Sequence, residues 1–181
     1  MHRIVIIGPC GAGKSTLSRK LANRTGLPIY HMDRLHWHPG WIEGSREELI
    51  ERLTPILQQD RWIIDGNYSG TMPLRFTYAD TVVFLDPPPR VYRWRVVKRF
   101  LTNRGRTRPD MAEGCLEKLD GEFLRYVWRF HRDSRPRLLQ KLDEHLTEKH
   151  RLIVLRTNRQ VRQFLVSAAA TGQPGDRFTA V

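Results

Sequence analysis

Disulfide-forming residues and long apolar runs are scarce in this chain. Its 181 residues include two cysteines, Cys10 and Cys115, so a disulfide framework is not expected and a reducing cytoplasm is the simplest compartment. No apolar run approaches the roughly 18 residues that span a bilayer, so we predict no membrane segment. The first residues have the pattern of a strand and a loop, which leaves no room for a signal peptide.

Acidic residues are also few. The chain has 19 Asp and Glu against 31 Lys and Arg, which gives a formal net charge of +12. This excess predicts anionic partners, and ATP, a phosphorylated substrate, nucleic acid or an anionic membrane surface would all be attracted. Much of the excess positive charge lies in one stretch without an acidic residue, which we call the basic stretch. Its basic residues are Arg90, Arg93, Arg95, Lys98, Arg99, Arg104, Arg106 and Arg108.

The length predicts one domain. A chain of 181 residues can bury about 70% of its unfolded surface. We assign residues 1–170 to a single domain. Residues 171–181 are mostly small and polar and carry glycine and proline, so we expect a disordered tail.

A glycine-rich motif organises the amino-terminal region. Four β-branched residues, Ile4 to Ile7, predict a buried parallel strand, and the following Gly8-x-x-x-x-Gly13-Lys14-Ser15 has the spacing of a phosphate-binding P-loop. Lys14 would reach the β- and γ-phosphates and the Ser15 hydroxyl would bind Mg²⁺. The alternatives are a turn without a ligand and a loop that binds nucleotide without catalysis. The residues predicted to hold ATP are Gly8, Gly11, Ala12, Gly13, Lys14, Ser15 and Thr16.

The segment 31–41 predicts an acceptor loop. It is rich in polar residues, and loops at the carboxyl ends of parallel strands carry function. Asp33 could hold the acceptor hydroxyl or act as its base, with a solvated aspartate or a helix cap as the alternative. Trp37 and Trp41 are candidates for an aromatic pocket wall, or else for packing anchors. The three histidines also allow a zinc site, which the lack of an adjacent cysteine disfavours.

A second polar turn follows the predicted strand Trp62–Asp65. An aspartate that ends a strand beside a P-loop lies where Mg²⁺ needs a ligand, directly or through water, so Asp65 is the candidate. The alternative is a turn aspartate before glycine. We expect Asn67 and Tyr68 to face the acceptor. Arg75 is a candidate for closing on a phosphate, with an ordinary surface arginine as the alternative.

The basic stretch predicts a lid over about residues 99–134. It is polar, basic and interrupted by glycine and proline. One well-placed arginine contributes about 10³–10⁵ to the rate of phosphoryl transfer. Arg104 and Arg106 are the candidates for capping the transferred phosphoryl group, and the alternative is a solvated basic loop.

The elements around the lid are predicted from local signals. Asp86 followed by proline predicts the N-cap of a helix that runs to about Asn103, with Val91, Trp94, Val97 and Leu101 on its apolar face. Two helices follow, one over about 117–130 and one after Pro136. A last strand over 152–155 precedes a turn in which Asn158 and Arg159 are candidates for binding the adenine.

Strands that alternate with helices predict an α/β protein with a parallel sheet. With its P-loop near the start and its basic lid, the chain resembles the nucleoside-monophosphate and shikimate kinase group. That resemblance implies a three-layer P-loop NTPase fold, with five parallel strands in the order 2-3-1-4-5 and a helical lid.

A narrower resemblance rests on five motifs. They are Gly8–Ser15, Met32–Trp41 with its two tryptophans, Trp62-Ile-Ile-Asp-Gly-Asn-Tyr68, Arg104-Gly-Arg-Thr-Arg-Pro-Asp110 and Leu155–Arg159. On these, residues 2–166 resemble the DNA topology modulation proteins, also called FlaR-like.

The resemblance implies roles for several residues. Asp33 matches the acidic acceptor-side position of shikimate-type kinases, and Asp65 matches the aspartate of the Asp-Gly turn of nucleotide kinases. Arg99, Arg104 and Arg106 match lid arginines approximately. The chain has Asp65-Gly-Asn-Tyr where nucleoside-monophosphate kinases have Asp-Gly-Phe-Pro-Arg, which argues against a mononucleotide acceptor.

Two functions follow from these observations. The first is an ATP- and Mg²⁺-dependent phosphotransferase acting on a small-molecule or nucleotide acceptor. The second is a nucleotide-binding protein that interacts with DNA through non-specific phosphate contacts along the basic stretch.

Overall fold

The structure is a computed structural model that describes residues 1–103, 105, 107, 109–116 and 120–170. The strands are β1 (Arg3–Ile7), β2 (Ile29–His31), β3 (Trp37–His38), β4 (Ile42–Glu43), β5 (Trp62–Asp65), β6 (Thr81–Leu85) and β7 (Arg151–Leu155). The helices are α1 (Lys14–Thr25), α2 (Met32–His36), α3 (Arg46–Leu57), α4 (Met72–Tyr78), α5 (Pro89–Asn103), α6 (Gly121–His145) and α7 (Asn158–Ala170).

A five-stranded parallel sheet forms the centre, in the order β2-β5-β1-β6-β7. Counting only the strands of this sheet, the order is 2-3-1-4-5, so the predicted topology is confirmed. β3 and β4 form a separate antiparallel hairpin.

Helices cover both faces of the sheet. Alternate side chains of β1 point to opposite sides, so Val5 and Ile7 pack with α3, α4 and α6, whereas Ile4 and Ile6 pack with α1 and α7. These four residues, Ile4 to Ile7, are fully buried, which explains why this part of β1 is apolar without interruption. The three-layer prediction is therefore confirmed.

Local signals explain where α1 ends and α3 begins. The Ser45 side chain accepts a hydrogen bond from the Glu48 backbone N–H at 3.0 Å and so caps the start of α3. Gly26 ends α1 in the left-handed conformation at φ +67°. The segment 31–41 is not a plain loop, because it forms α2 and the first strand of the hairpin.

The prediction of two helices on either side of Pro136 is wrong. α6 runs through the proline without a break. Phe130 on one side, and Leu138 and Leu142 on the other, are buried in the same core cluster. Burial of both halves outweighs the hydrogen bond that proline removes.

The predicted cap at Asp86 is also wrong. α5 begins at Pro89, and the Asp86 carboxylate accepts two hydrogen bonds from Arg135 on α6, at 2.9 and 2.8 Å. The predicted apolar face of α5 is rotated as well, since Tyr92 and Val96 are buried while Trp94 is 64% exposed.

Among the described residues, no helix has both the length and the apolar character needed to cross a bilayer. The predicted tail, 171–181, lies outside the described residues, as do Arg104 and Arg106.

Candidate nucleotide and acceptor site

A cavity of about 830 Å³ lies at the carboxyl ends of the central strands. The P-loop follows β1, Asp65 ends β5, and Asp33 follows β2. Because these strands are parallel and adjacent, their carboxyl ends bring the three segments to one edge of the sheet. Residues 109–111 and the start of α6 line the cavity from the other side.

The P-loop lies tightly against the helix that carries the basic stretch. Gly8, Gly11 and Gly13 all have positive φ, of 144°, 80° and 99°. A Cβ atom at position 11 would lie 2.4 Å from the Tyr92 carbonyl oxygen and 2.8 Å from a Val96 methyl. Glycine is therefore required there both by conformation and by contact with α5.

Lys14 closes the loop on itself. Its Nζ donates to the carbonyl oxygens of Gly8, at 3.0 Å, and Pro9, at 3.2 Å. The ammonium is thereby held against the loop, and Lys14 lines the cavity. The backbone amides at the start of α1 point the same way, so this end of the cavity is suited to an anion.

Arg95 connects the P-loop to the turn before α7. It donates to the Ala12 carbonyl oxygen at 3.1 Å and to Asn158 Oδ1 at 2.7 Å. Asn158 is thereby tied to the P-loop through an arginine that lines the cavity. Arg159 is exposed on the first turn of α7 and does not line the cavity.

Asp65 lies in a polar cluster beneath the P-loop. Its Oδ2 accepts from Ser18 Oγ at 2.7 Å, and its Oδ1 contacts His31 Nδ1 at 2.9 Å. Burial lowers the pKa of His31, but the hydrogen bond to Asp65 and the negative charges of Asp65, Asp110 and Asp33 outweigh it, so this pKa is raised.

The same region offers hard oxygen ligands. The Ser15 hydroxyl donates to Asp110 Oδ2 at 2.8 Å, and Ser15, Asp65 and Asp110 all line the cavity. Mg²⁺ is commonly bound through one or two carboxylates together with substrate phosphates. The donors present therefore fit Mg²⁺ with a nucleotide.

Asp33 lies on the acceptor side of the cavity, together with aromatic residues. Its Oδ1 accepts a hydrogen bond from the Tyr68 hydroxyl at 2.9 Å. Burial and the Asp33 charge raise the pKa of Tyr68, so the phenol stays protonated as a donor. Trp37 and Trp41 meet edge to face with ring centroids 5.3 Å apart, and both line the cavity.

The three histidines of this segment do not converge. His31 contacts Asp65, His36 contacts Glu43 at 2.9 Å, and His38 contacts Glu48 at 3.0 Å. Each ring is oriented by a different carboxylate, and the last two contacts join α2 to the hairpin and the hairpin to α3.

Asn67 and Arg75 both have hydrogen-bond partners within the protein. Asn67 Oδ1 accepts from the Gly8 N–H at 2.9 Å and so joins the turn after β5 to the P-loop. Arg75 is completely buried and donates to the carbonyl oxygens of Gly66 at 2.7 Å, Tyr68 at 3.2 Å, and Asn67. The prediction that Arg75 closes on a phosphate is wrong, because its guanidinium holds that turn from beneath.

The structure brings most of the predicted site together and adds residues that sequence reasoning missed. Arg95 was missed, although it lines the cavity one helical turn from Arg99, which the family resemblance had matched to a lid arginine; that spacing could have identified the two as a pair. The missed lining residues include Arg19, Asp110, Phe123 and Tyr126. No local signal marks these, since they come from α1, the segment before α6, and α6 itself.

The fold and the P-loop define the class: this is an α/β protein with the P-loop NTPase fold of the shikimate kinase type. Shikimate kinase from Acinetobacter baumannii, in complex with shikimate, is similar with a TM-score of 0.53 and 16% identity, over 97% of this chain and 96% of that one. The YorR protein from Bacillus subtilis, in complex with phosphorylated GDP, is similar with a TM-score of 0.53 and 14% identity, over 93% and 94%. At these identities the likeness shows the fold alone.

One curated protein is similar to part of this chain. Adenylate dimethylallyltransferase from Agrobacterium tumefaciens (strain Ach5) is 35% identical over 65 residues, which are 34% of this chain and 27% of that protein. The chain therefore spans about a quarter of the length of this curated relative. No family model matches the chain, so membership of the DNA topology modulation proteins stays a prediction.

Proposed function

We propose that this protein is an ATP- and Mg²⁺-dependent phosphotransferase that acts on a small acceptor with a hydroxyl group. The observation that carries the proposal is one cavity that contains both a P-loop and an acidic, aromatic wall. Lys14 and Asp33 line the same 830 Å³ space. A protein that only bound a nucleotide would have no need of the second wall.

In the proposed mechanism, the residues on the P-loop side and on the acceptor side of the cavity have different roles. P-loop amides and Lys14 hold the phosphates, and Asp33, fixed by the Tyr68 hydroxyl, orients the acceptor hydroxyl and takes its proton. Mg²⁺, held by Ser15 and by Asp65 directly or through water, would neutralise charge on the transferred group. Arg95 and Arg99 add positive charge, and Arg104 and Arg106 stay candidates for capping the phosphoryl group.

Exclusion of water favours transfer over hydrolysis. The segment 109–116 contacts the acceptor hairpin, since Trp41 Nε1 donates to the Leu116 carbonyl oxygen at 2.8 Å and the Cys115 thiol to the His38 carbonyl at 3.3 Å. A covered site protects the phosphoryl group from water. The edge-to-face tryptophans favour an acceptor with a flat ring or the apolar face of a sugar.

The test is ADP release from Mg²⁺-ATP with a panel of acceptors: nucleosides, mononucleotides, sugars and aminoglycosides, with a control lacking acceptor. We expect release to depend on one class. Asp33→Asn should lower that rate by about 100-fold, because general-base catalysis contributes about 10²–10⁴. Nucleotide affinity should not change, since Asp33 lies on the acceptor side.

Asp60→Asn is the matched control, because Asp60 is an exposed aspartate whose side chain is 98% accessible. It should leave the rate unchanged. Acceptor-dependent release that persists in Asp33→Asn would remove Asp33 from the mechanism. Release that no acceptor changes would argue for an ATPase.

A second candidate function, nucleic-acid binding, is supported by a surface on α5 and α6. We call it the α5–α6 surface, and its exposed residues are Arg90, Trp94, Lys98, Arg125, Trp128 and Arg129. Each helix presents a tryptophan with a cation one turn away on the same face. Arg93 joins the two helices, since its guanidinium lies 5.6 Å from the centroid of the Trp128 ring.

This pattern fits a single strand better than a duplex. Unpaired bases stack on exposed aromatic rings while cations contact the backbone. Four cations would give a salt slope of roughly −3 in log K against log[salt] for a single strand. We expect a labelled oligothymidine to bind with that slope in fluorescence anisotropy.

The double variant Arg90→Ala/Lys98→Ala should weaken this binding. Lys20→Ala/Lys149→Ala removes the same charge from other exposed positions and should have less effect. An equal loss of oligonucleotide affinity in the two double variants would show that binding depends on net charge alone. Binding to anionic vesicles with no binding to the oligonucleotide would assign the surface to membranes.

A further inference from the structure

The hydrogen bond between Ser15 and Asp110 has no part in the function proposed above. Ser15 Oγ donates to Asp110 Oδ2 at 2.8 Å across 95 residues of sequence. Asp110 is only 8% exposed, although it lies in a polar segment far from the sheet in sequence. A buried carboxylate on the hydroxyl of the P-loop serine needs a physical explanation.

Asp110 is held in place by the acceptor side of the cavity. Its segment, 109–116, is fixed to the hairpin through the Trp41–Leu116 and Cys115–His38 hydrogen bonds. Thr107 also forms an antiparallel bridge with Leu116. The segment therefore connects the acceptor loop to the P-loop, and Asp110 is its contact with the P-loop.

The direction of the Ser15 hydrogen bond decides what the hydroxyl can do. A serine hydroxyl has one proton and two lone pairs. With its proton donated to Asp110, its lone pairs are directed elsewhere and are able to bind a cation. A carboxylate that accepts from a metal ligand both orients the ligand and increases its basicity.

We propose that Asp110 is a positioning residue, which orients the Ser15 hydroxyl toward the cation of a bound nucleotide. This inference rests on the proposed function. It adds a coupling: docking of the 109–116 segment on the acceptor hairpin strengthens Mg²⁺ binding at the P-loop. By reciprocity, Mg²⁺-nucleotide strengthens docking of the segment by the same factor.

The experiment measures ADP affinity by isothermal titration, once with saturating Mg²⁺ and once with EDTA. Asp110→Ala should weaken binding in Mg²⁺ by about 10-fold, because loss of such an orienting partner typically costs about 10–100-fold in metal affinity. Binding in EDTA should change by less than about twofold, since Asp110 acts through the cation ligand. This readout is independent of the enzyme's turnover.

Two further variants separate orientation from charge and folding. Asp110→Asn keeps an oxygen that accepts from Ser15 but loses the charge, so its affinity in Mg²⁺ should lie between the wild type and Asp110→Ala. Glu113→Ala removes an exposed carboxylate from the same segment. It should leave both affinities unchanged, and thermal unfolding should show that every variant is folded.

Three results would overturn the proposal. Tighter Mg²⁺-ADP binding by Asp110→Ala would mean that the carboxylate competes with the cation. Equal weakening in Mg²⁺ and in EDTA would mean that Asp110 only supports the shape of the P-loop, and no change would mean that it has no role. A wild-type protein that binds no ADP would instead defeat the proposed function, and this inference with it.

Discussion

Lys14→Ala should lower the rate of acceptor-dependent phosphoryl transfer by about a thousandfold, the upper range for loss of one preorganised charge-stabilising donor. The P-loop holds the Lys14 ammonium in the cavity through the carbonyl oxygens of Gly8 and Pro9. In the proposed mechanism, the charge on the transferred phosphoryl group develops at this end of the cavity. Alanine removes the countercharge without filling the space.

The same variant should remain folded. Lys14 contacts two carbonyls of a partly exposed loop, so we expect a loss of about 1 kcal/mol, or roughly 3 °C in Tm. ADP release and differential scanning fluorimetry measure the two quantities. Lys20→Ala, an exposed lysine on the same helix, should retain full activity. A Lys14→Ala enzyme within tenfold of the wild type would rule out the proposed phosphotransferase mechanism.

Arg75→Ala should lower the free energy of unfolding by about 4 kcal/mol, which corresponds to about 12 °C in Tm for a protein of this size. Arg75 is completely buried, and its guanidinium donates to three consecutive carbonyl oxygens, of Gly66, Asn67 and Tyr68. Removing it takes the donor from the buried carbonyl oxygens of Gly66 and Asn67, at about 1–3 kcal/mol each, whereas the Tyr68 carbonyl still accepts from the Thr71 N–H at 3.0 Å. Burial lowers the pKa of Arg75 to about 9, which still leaves it protonated at neutral pH.

The loss of stability should depend on the planar, forked geometry of the guanidinium and not on its charge alone. Arg75→Lys keeps a cation but cannot match three carbonyls at once, so its Tm should lie between those of Arg75→Ala and the wild type. Arg162→Ala, at an exposed position on α7, should change the Tm by no more than about 2 °C. If Arg75→Ala kept its Tm and lost only acceptor affinity, Arg75 would be a ligand and the buried arrangement would not hold in solution.

The local part of the site was predictable because each signal lies within a few residues. The glycine spacing of the P-loop, the apolar run of β1 and the aspartates that end strands are all short-range patterns. Parallel strands bring their carboxyl ends together, so the sequence also predicted that Asp33 and Asp65 would share one edge of the sheet. Both line the cavity.

Arg75, Asp86 and Asp110 were misjudged or missed for a common reason. Their partners are set by contacts that no spacing records: buried carbonyls for Arg75, an arginine of α6 for Asp86, and the P-loop serine for Asp110. A charged residue has the same local pattern whether it is solvated or buried with a partner. The helix break predicted at Pro136 was wrong for the same reason. The burial of residues on both sides of Pro136, which keeps α6 continuous, depends on the core and is not visible in the local sequence.

Local sequence patterns were enough to predict the alternation of strands and helices and the P-loop, because hydrophobic periodicity and glycine conformation act over short distances. The strand order was predicted from the resemblance to the nucleoside-monophosphate and shikimate kinase group. Which charged side chains line the cavity and which support it became clear only in the folded protein. Desolvation explains this division: a charge is stable in the interior only where the folded chain supplies its hydrogen-bond partners, whether these are seven to nine residues away, as for Arg75, or 95 residues away, as for Asp110. Those partners are fixed when the layers pack, so the pairing of Asp110 with Ser15 and the burial of Arg75 exist only in the folded protein.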